Sequence, residues 1–292
     1  MSNENLPISK TLSSTSNSFL PTIKISPSSF SSSDWMVYFN SKFVILAATL
    51  FPGIGCYACI AYTYLFQFDK IVNFASDHCN GTMSYIPPVS YSIGVWKPQK
   101  FFWLSVLMLH VPPRMIYVDL CIKFFLRGPN ATNSDNYYFY ILLSIHRFLM
   151  HLEIWALVGV SIFDIEYNFL IHATFFGFWL ASFNFNMLFN IILQYQSGIN
   201  ETVSKYYTLF KIRKFIFIVG CPISLTASAS YVYYLKSCKD LAYVTFSVTE
   251  YATVGINSLF YLLSYIDADN MNLDISVVPS VSGKSKNVVC AV

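Results

Sequence analysis

Residues 43–66 read FVILAATLFPGIGCYACIAYTYLF, twenty-four positions without a charged side chain. As an α-helix rising 1.5 Å per residue, this run reaches about 36 Å, enough to cross about 30 Å of hydrocarbon. A surface helix of a soluble protein is apolar along one stripe, whereas this run is apolar all round. It therefore predicts a membrane-spanning helix. Five further apolar runs follow, at about Phe101–Leu126, Phe139–Phe163, Leu170–Tyr195, Phe215–Leu235 and Leu241–Ile266. Each is long enough to span, and Tyr and Trp gather near their ends as in interfacial belts. The expected fold is an all-α polytopic transmembrane bundle of about six helices.

Composition agrees. Charged residues make up 11% of the 292 positions and hydrophobic ones 55%. Soluble domains carry about 25% charge, so this surface must face lipid rather than water. A net charge of +3 spread along the chain leaves no basic block for nucleic acid. No cysteine or histidine spacing suggests a metal site, and the CxxC of Cys56 and Cys59 lies within the first apolar run, where small buried residues are the plain reading.

The spans set the domain organisation. Residues 1–34, rich in Ser, Thr, Asn and Pro, are expected to form a disordered tail. Residues 35–270 hold the six-helix transmembrane domain, with a large loop at 67–100, and 271–292 form a second disordered tail. With no signal-peptide core ahead of it, the first helix is expected to act as an uncleaved signal anchor. If the N-terminus is cytosolic, eleven Lys and Arg fall in cytosolic segments and five in lumenal ones, the asymmetry of the positive-inside rule. Both termini are then cytosolic and the 67–100 loop is lumenal. That loop carries the glycosylation sequon at Asn80, while the sequons at Asn130 and Asn200 fall in the cytosol. Cys79 and Cys238 are the two lumenal cysteines, and an oxidising lumen lets them pair.

Polar residues inside the spans point toward function. A charge at the centre of a membrane helix costs about 2.5–3.5 kcal/mol on insertion scales, so it needs a partner or a task. The second helix holds His110 and Arg114 at i and i+4, with Pro112 and Pro113 between them, where a kink or opening is expected. The third holds Glu153, the fourth His172, and the sixth Glu250 and Asn257. Counted at 1.5 Å per residue, His110, Glu153 and Glu250 lie about 14–15 Å below their lumenal helix ends, and Arg114 about 6 Å deeper than His110. One slab thus holds four ionisable groups from three helices, and Arg114 is expected to pair with Glu153 or Glu250. Such groups can simply glue a bundle together. Their convergence at one depth, with more acid and imidazole than one arginine can pair, favours a lumen-facing polar cleft for a lipid headgroup.

Several stretches resemble the post-GPI attachment to proteins factor 2 family. His78-Cys79, Tyr85-Ile86-Pro87-Pro88-Val89-Ser90 and Ile93-Gly94 are similar to that family's HC…YLPSVS..IG stretch. Leu109-His110-Val111-Pro112-Pro113-Arg114 resembles its LHxxPR element, with Pro112 where the family often has a small residue. Glu153, Ile171-His172, Cys238, Glu250-Tyr251, Asn257, Asp267 and Asn270 follow in the family's order. The resemblance covers about residues 40–270. It implies a multi-pass protein of the Golgi or endoplasmic reticulum that acts in GPI-anchor maturation. There the family is needed to return a saturated acyl chain to lyso-GPI, as catalyst or required factor. The alternative is a non-catalytic lipid-binding or trafficking factor for GPI-anchored proteins. The expected partners are membrane lipid, lyso-GPI or GPI-anchored proteins, and an acyl-CoA or phospholipid acyl donor, with no cofactor. Acyl transfer needs a base for the glycerol hydroxyl. His110 is the first choice, oriented by Glu153 or Glu250, with Arg114 on the lipid phosphate and His172 and Asn257 as supporting polar groups. The chain has no GxSxG or HxxxxD motif.

Overall fold

The computed structural model describes residues 35–74, 79, 84–131, 137–268 and 272–277. His78, Asn80, Asn270 and both expected tails, apart from 272–277, lie outside the described residues. Six long helices carry the fold among them: α1 (Ser41–Phe66), α2 (Gln99–Leu126), α3 (Tyr137–Ile162), α4 (Phe169–Ser197), α5 (Ser204–Ser237) and α6 (Asp240–Asp267). Five of them are long and apolar enough to cross a membrane. The other, α6, has the length at 28 residues but carries Glu250, Asn257 and many hydroxyl side chains, which turn into the bundle. The chain is a multi-pass helical membrane protein.

Separately from the bundle, strands β1 (Trp35–Asn40) and β2 (Asn272–Val277) form an antiparallel pair, with Trp35 opposite Val277 and Asn40 opposite Asn272. The sequence reading gave neither segment a strand. Both are short and rich in aromatic or β-branched residues, a signal easily lost beside 26-residue helices.

Local chemistry explains the helix boundaries. The Lys42 amide donates to Asn40 Oδ1 at 3.0 Å, capping α1. The Ile171 amide donates to Asn168 Oδ1 at 3.1 Å, capping α4. That helix ends at Gly198, whose φ of 70° suits glycine, and any Cβ there would lie 2.7 Å from Asn130 Nδ2. Helix α2 continues through Pro112 and Pro113. Helix α5 starts eleven residues before the apolar run at Phe215. Its first turns carry Lys205, Lys211, Arg213 and Lys214, which a hydropathy reading leaves outside the span.

Packing runs α2–α3–α4–α5–α6, with α3–α4 and α5–α6 the most closely associated neighbours. Helix α1 closes against α6 at Gly53, where a Cβ would meet Ser258 Oγ at 2.3 Å. Such small-residue contacts let helices approach in lipid. Gln99 Nε2 in α2 donates to Thr63 Oγ1 in α1 at 3.0 Å. The Cys79 and Cys238 sulfurs are bonded, and Cys79 packs with Phe74, Tyr91, Tyr234 and Tyr243. Cys238 has φ 51°, the left-handed position past a helix end that glycine usually takes.

Candidate functional site

The loop before α2 returns into one end of the bundle, and its sequence explains how. Pro87 and Pro88 have no N–H to leave unpaired. Their neighbourhood presents carbonyls instead: Tyr64 of α1 donates its hydroxyl to the Tyr85 carbonyl at 2.9 Å, and Tyr251 of α6 to that of Pro87 at 2.7 Å. The first amide after the prolines, that of Val89, donates to Glu250 Oε2 at 2.8 Å. A buried carboxylate on α6 thus pins the segment that carries Ser90.

Ser90 Oγ lies 3.1 Å from His172 Nε2 and 3.5 Å from Glu250 Oε1. His172 Nδ1 lies 2.7 Å from the Phe163 carbonyl. These groups line a largely apolar cavity of about 670 Å³ of empty space including its mouth, walled by Trp103, Phe176, Trp179 and Val254. Trp103 Nε1 is already occupied, donating to Ser161 Oγ at 2.9 Å. At the same end, Lys100 pairs with Asp164 Oδ2 at 2.6 Å, and the Tyr167 amide donates to Asp164 Oδ1 at 2.7 Å. Burial pushes the Asp164 carboxyl up, but these two partners outweigh it and hold it below the usual carboxylate range.

A second polar centre lies deeper. Glu153 Oε1 accepts from Arg114 Nη2 at 3.3 Å and from Asn257 Nδ2 at 2.9 Å. Its Oε2 accepts from Asn186 Nδ2 at 2.6 Å and from the Tyr261 hydroxyl. The Arg114 guanidinium stacks 3.6 Å from the Tyr261 ring centre. Four helices therefore converge on one carboxylate, and Asn257 lines the cavity as well as touching Glu153.

The residues picked out from sequence thus divide. Glu250, His172 and Asn257 line the cavity; Arg114 and Glu153 pair with each other beneath it. His110 does neither: it is buried, and its Nδ1 has no hydrogen-bond partner among the described residues. Asn200, one of the two sequons assigned to the cytosol, is buried. Sequence reasoning missed Ser90, although it stands in the quoted YIPPVS stretch, and Tyr261, hidden among 53 aromatic residues counting those of every run. It also missed the buried Arg213–Asp267 ion pair at the far end of α5 and α6. Hydropathy alone leaves Arg213 as a loop charge ahead of the apolar run at Phe215.

A bundle of lipid-facing helices with a buried charge network and a cavity under a re-entrant loop defines the class: a polytopic membrane protein with a built-in site at one end. A family model described as "Frag1/DRAM/Sfk1/Cwh43P N-terminal domain" matches residues 40–271. Among curated proteins, the chain is 24% identical over 239 residues to "Post-GPI attachment to proteins factor 2" of Drosophila pseudoobscura pseudoobscura, covering 81% of this chain and 90% of that protein. It is 23% identical to the protein of that name from Caenorhabditis elegans, covering 80% and 87%. It is also 24% identical to "Acyltransferase PGAP2" of Xenopus tropicalis, covering 74% and 83%. No solved structure matches. The chain belongs to the Frag1/DRAM/Sfk1/Cwh43P family, within its post-GPI attachment to proteins factor 2 group.

Proposed function

We propose that the protein acts in GPI-anchor maturation by reacylating lyso-GPI with a saturated acyl chain, and that it does so as the catalyst. The cavity at the loop end carries this reading: apolar walls suit an acyl chain, and an imidazole and a carboxylate flank Ser90 at its polar edge. The names of the relatives point the same way, one of them being called an acyltransferase. The acyl donor is an acyl-CoA or a phospholipid. With both termini cytosolic, the cavity end faces the lumen of the Golgi or endoplasmic reticulum, the side on which GPI-anchored proteins lie, and Asn80 is the sequon exposed to glycosylation. His172 is the base in this reading, and Glu250 fixes the loop. Arg114 and Glu153 hold the bundle beneath, and the imidazole of His110 stands outside the chemistry.

In cells whose only copy is Glu250→Gln, GPI lipids are expected to shift from saturated diacyl to lyso or unremodelled forms, with protein abundance unchanged. Glutamine keeps an acceptor for the Val89 amide, so gross folding is spared, but it puts an NH2 donor where the second carboxylate oxygen faces Ser90 Oγ. Normal GPI lipid composition in that variant, measured by mass spectrometry, contradicts a role for the cavity.

A further inference from the structure

Resting on the acyl-transfer reading, we propose that Ser90 is a covalent nucleophile that carries the acyl chain between donor and acceptor, with His172 as its proton shuttle. The argument begins with a carbonyl. The Phe163 oxygen can only accept, so at 2.7 Å the proton of a neutral His172 sits on Nδ1. Nε2 is then a bare lone pair, and the Ser90 hydroxyl 3.1 Å away is the donor to it. Glu250 Oε1, at 3.5 Å, is the more distant acceptor. The result is a nucleophile, a base within hydrogen-bond reach, and a third group that sets the base's tautomer, which is the pattern that activates serine on unrelated folds. The Val89 amide on Glu250 Oε2 holds the neighbouring backbone, so Oγ has a fixed position at the cavity wall.

The step balances without redox change. Ser90 Oγ attacks the carbonyl carbon of a fatty acyl thioester or glycerophospholipid ester, and its proton moves to Nε2. The donor's C–S or C–O bond breaks, and the leaving group takes that proton, leaving an acyl-serine ester. The free glycerol hydroxyl of the lysolipid then attacks the ester carbonyl and gives its proton to Nε2. The bond from Ser90 Oγ to the acyl carbon breaks, and Oγ recovers a proton from Nε2. Donor and acceptor react in turn, so kinetics of the ping-pong type follow.

The test uses the full-length protein in detergent–lipid micelles and a hexadecyl fluorophosphonate probe, which bonds activated serines. Wild type is expected to take one adduct, located on Ser90 by peptide mass spectrometry. Ser90→Ala abolishes it, and His172→Gln lowers the labelling rate at least tenfold with abundance and melting temperature held. Should Ser90→Ala fold poorly, Ser90→Cys incubated with palmitoyl thioester is expected to trap a hydroxylamine-labile acyl group at position 90. No adduct on wild-type Ser90, or no trapped acyl group on a folded Ser90→Cys, overturns the covalent step. In cells, Ser90→Ala with normal saturated GPI also overturns it while leaving acyl transfer standing. Cells lacking the protein altogether that keep normal GPI lipids defeat the acyl-transfer reading instead.

Discussion

Glu153→Ala is expected to destabilise the bundle by about 3–5 kcal/mol, the usual cost of leaving one member of a buried ion pair alone. The substitution strands the Arg114 guanidinium, which is 3% exposed, and frees the donors of Asn186, Asn257 and Tyr261. Hydrogen bonds between membrane helices average only about 0.6 kcal/mol each, so the unpaired charge dominates. That ranking has a consequence. Combining Arg114→Met with Glu153→Leu removes both charges and is expected to recover most of the loss, because apolar packing often replaces a buried ion pair at little cost. Melting of the purified variants in detergent decides it. A Glu153→Ala protein as stable as wild type, or a double variant no better than the single one, contradicts the view of this carboxylate as the hub of the bundle.

Replacing Cys79 and Cys238 together by serine is expected to impair function more than stability. The bond spans 159 residues in sequence, for which the loop-entropy model gives upward of about 4 kcal/mol. That model describes a chain free in water. Inserted helices already restrict the unfolded state, so the measured loss of stability should be smaller. The local effect is larger, because Cys79 sits in the aromatic cluster of Phe74, Tyr91 and Tyr243, in which Tyr91, the residue after Ser90, packs on Phe74 and Trp96. The double serine variant is expected to reach the membrane in normal amount yet leave GPI lipids unremodelled. Peptide mapping without reduction that finds two free thiols in wild type contradicts the bond, and full activity of the variant contradicts its role.

The spans were legible because hydropathy is a one-dimensional signal: the run at Leu170–Tyr195 and the helix Phe169–Ser197 differ by one or two residues at each end. Helix α5 extended further because its basic first turns stay helical outside the apolar run. Depth was legible for the same reason, since rise per residue is constant, and it set Arg114 and Glu153 within reach of each other. Rotation about each helix axis was not. His110 and Arg114, four residues apart, differ in what they meet: Arg114 reaches Glu153, while the His110 ring stays outside that network. Ser90 escaped because its place depends on the loop folding back between helices, a contact 160 residues distant at Glu250 that no local pattern encodes.

The most direct measurement is acyl transfer by the purified protein in vesicles supplied with lyso-GPI and an isotopically labelled saturated acyl donor, tested with both a phospholipid and an acyl-CoA. The expected result is labelled diacyl GPI from wild type and at least a hundredfold less from His172→Gln at equal protein, since general acid–base catalysis typically contributes about 10²–10⁴-fold. Product formation undiminished in His172→Gln, or no product from a folded wild type with either donor, contradicts the account.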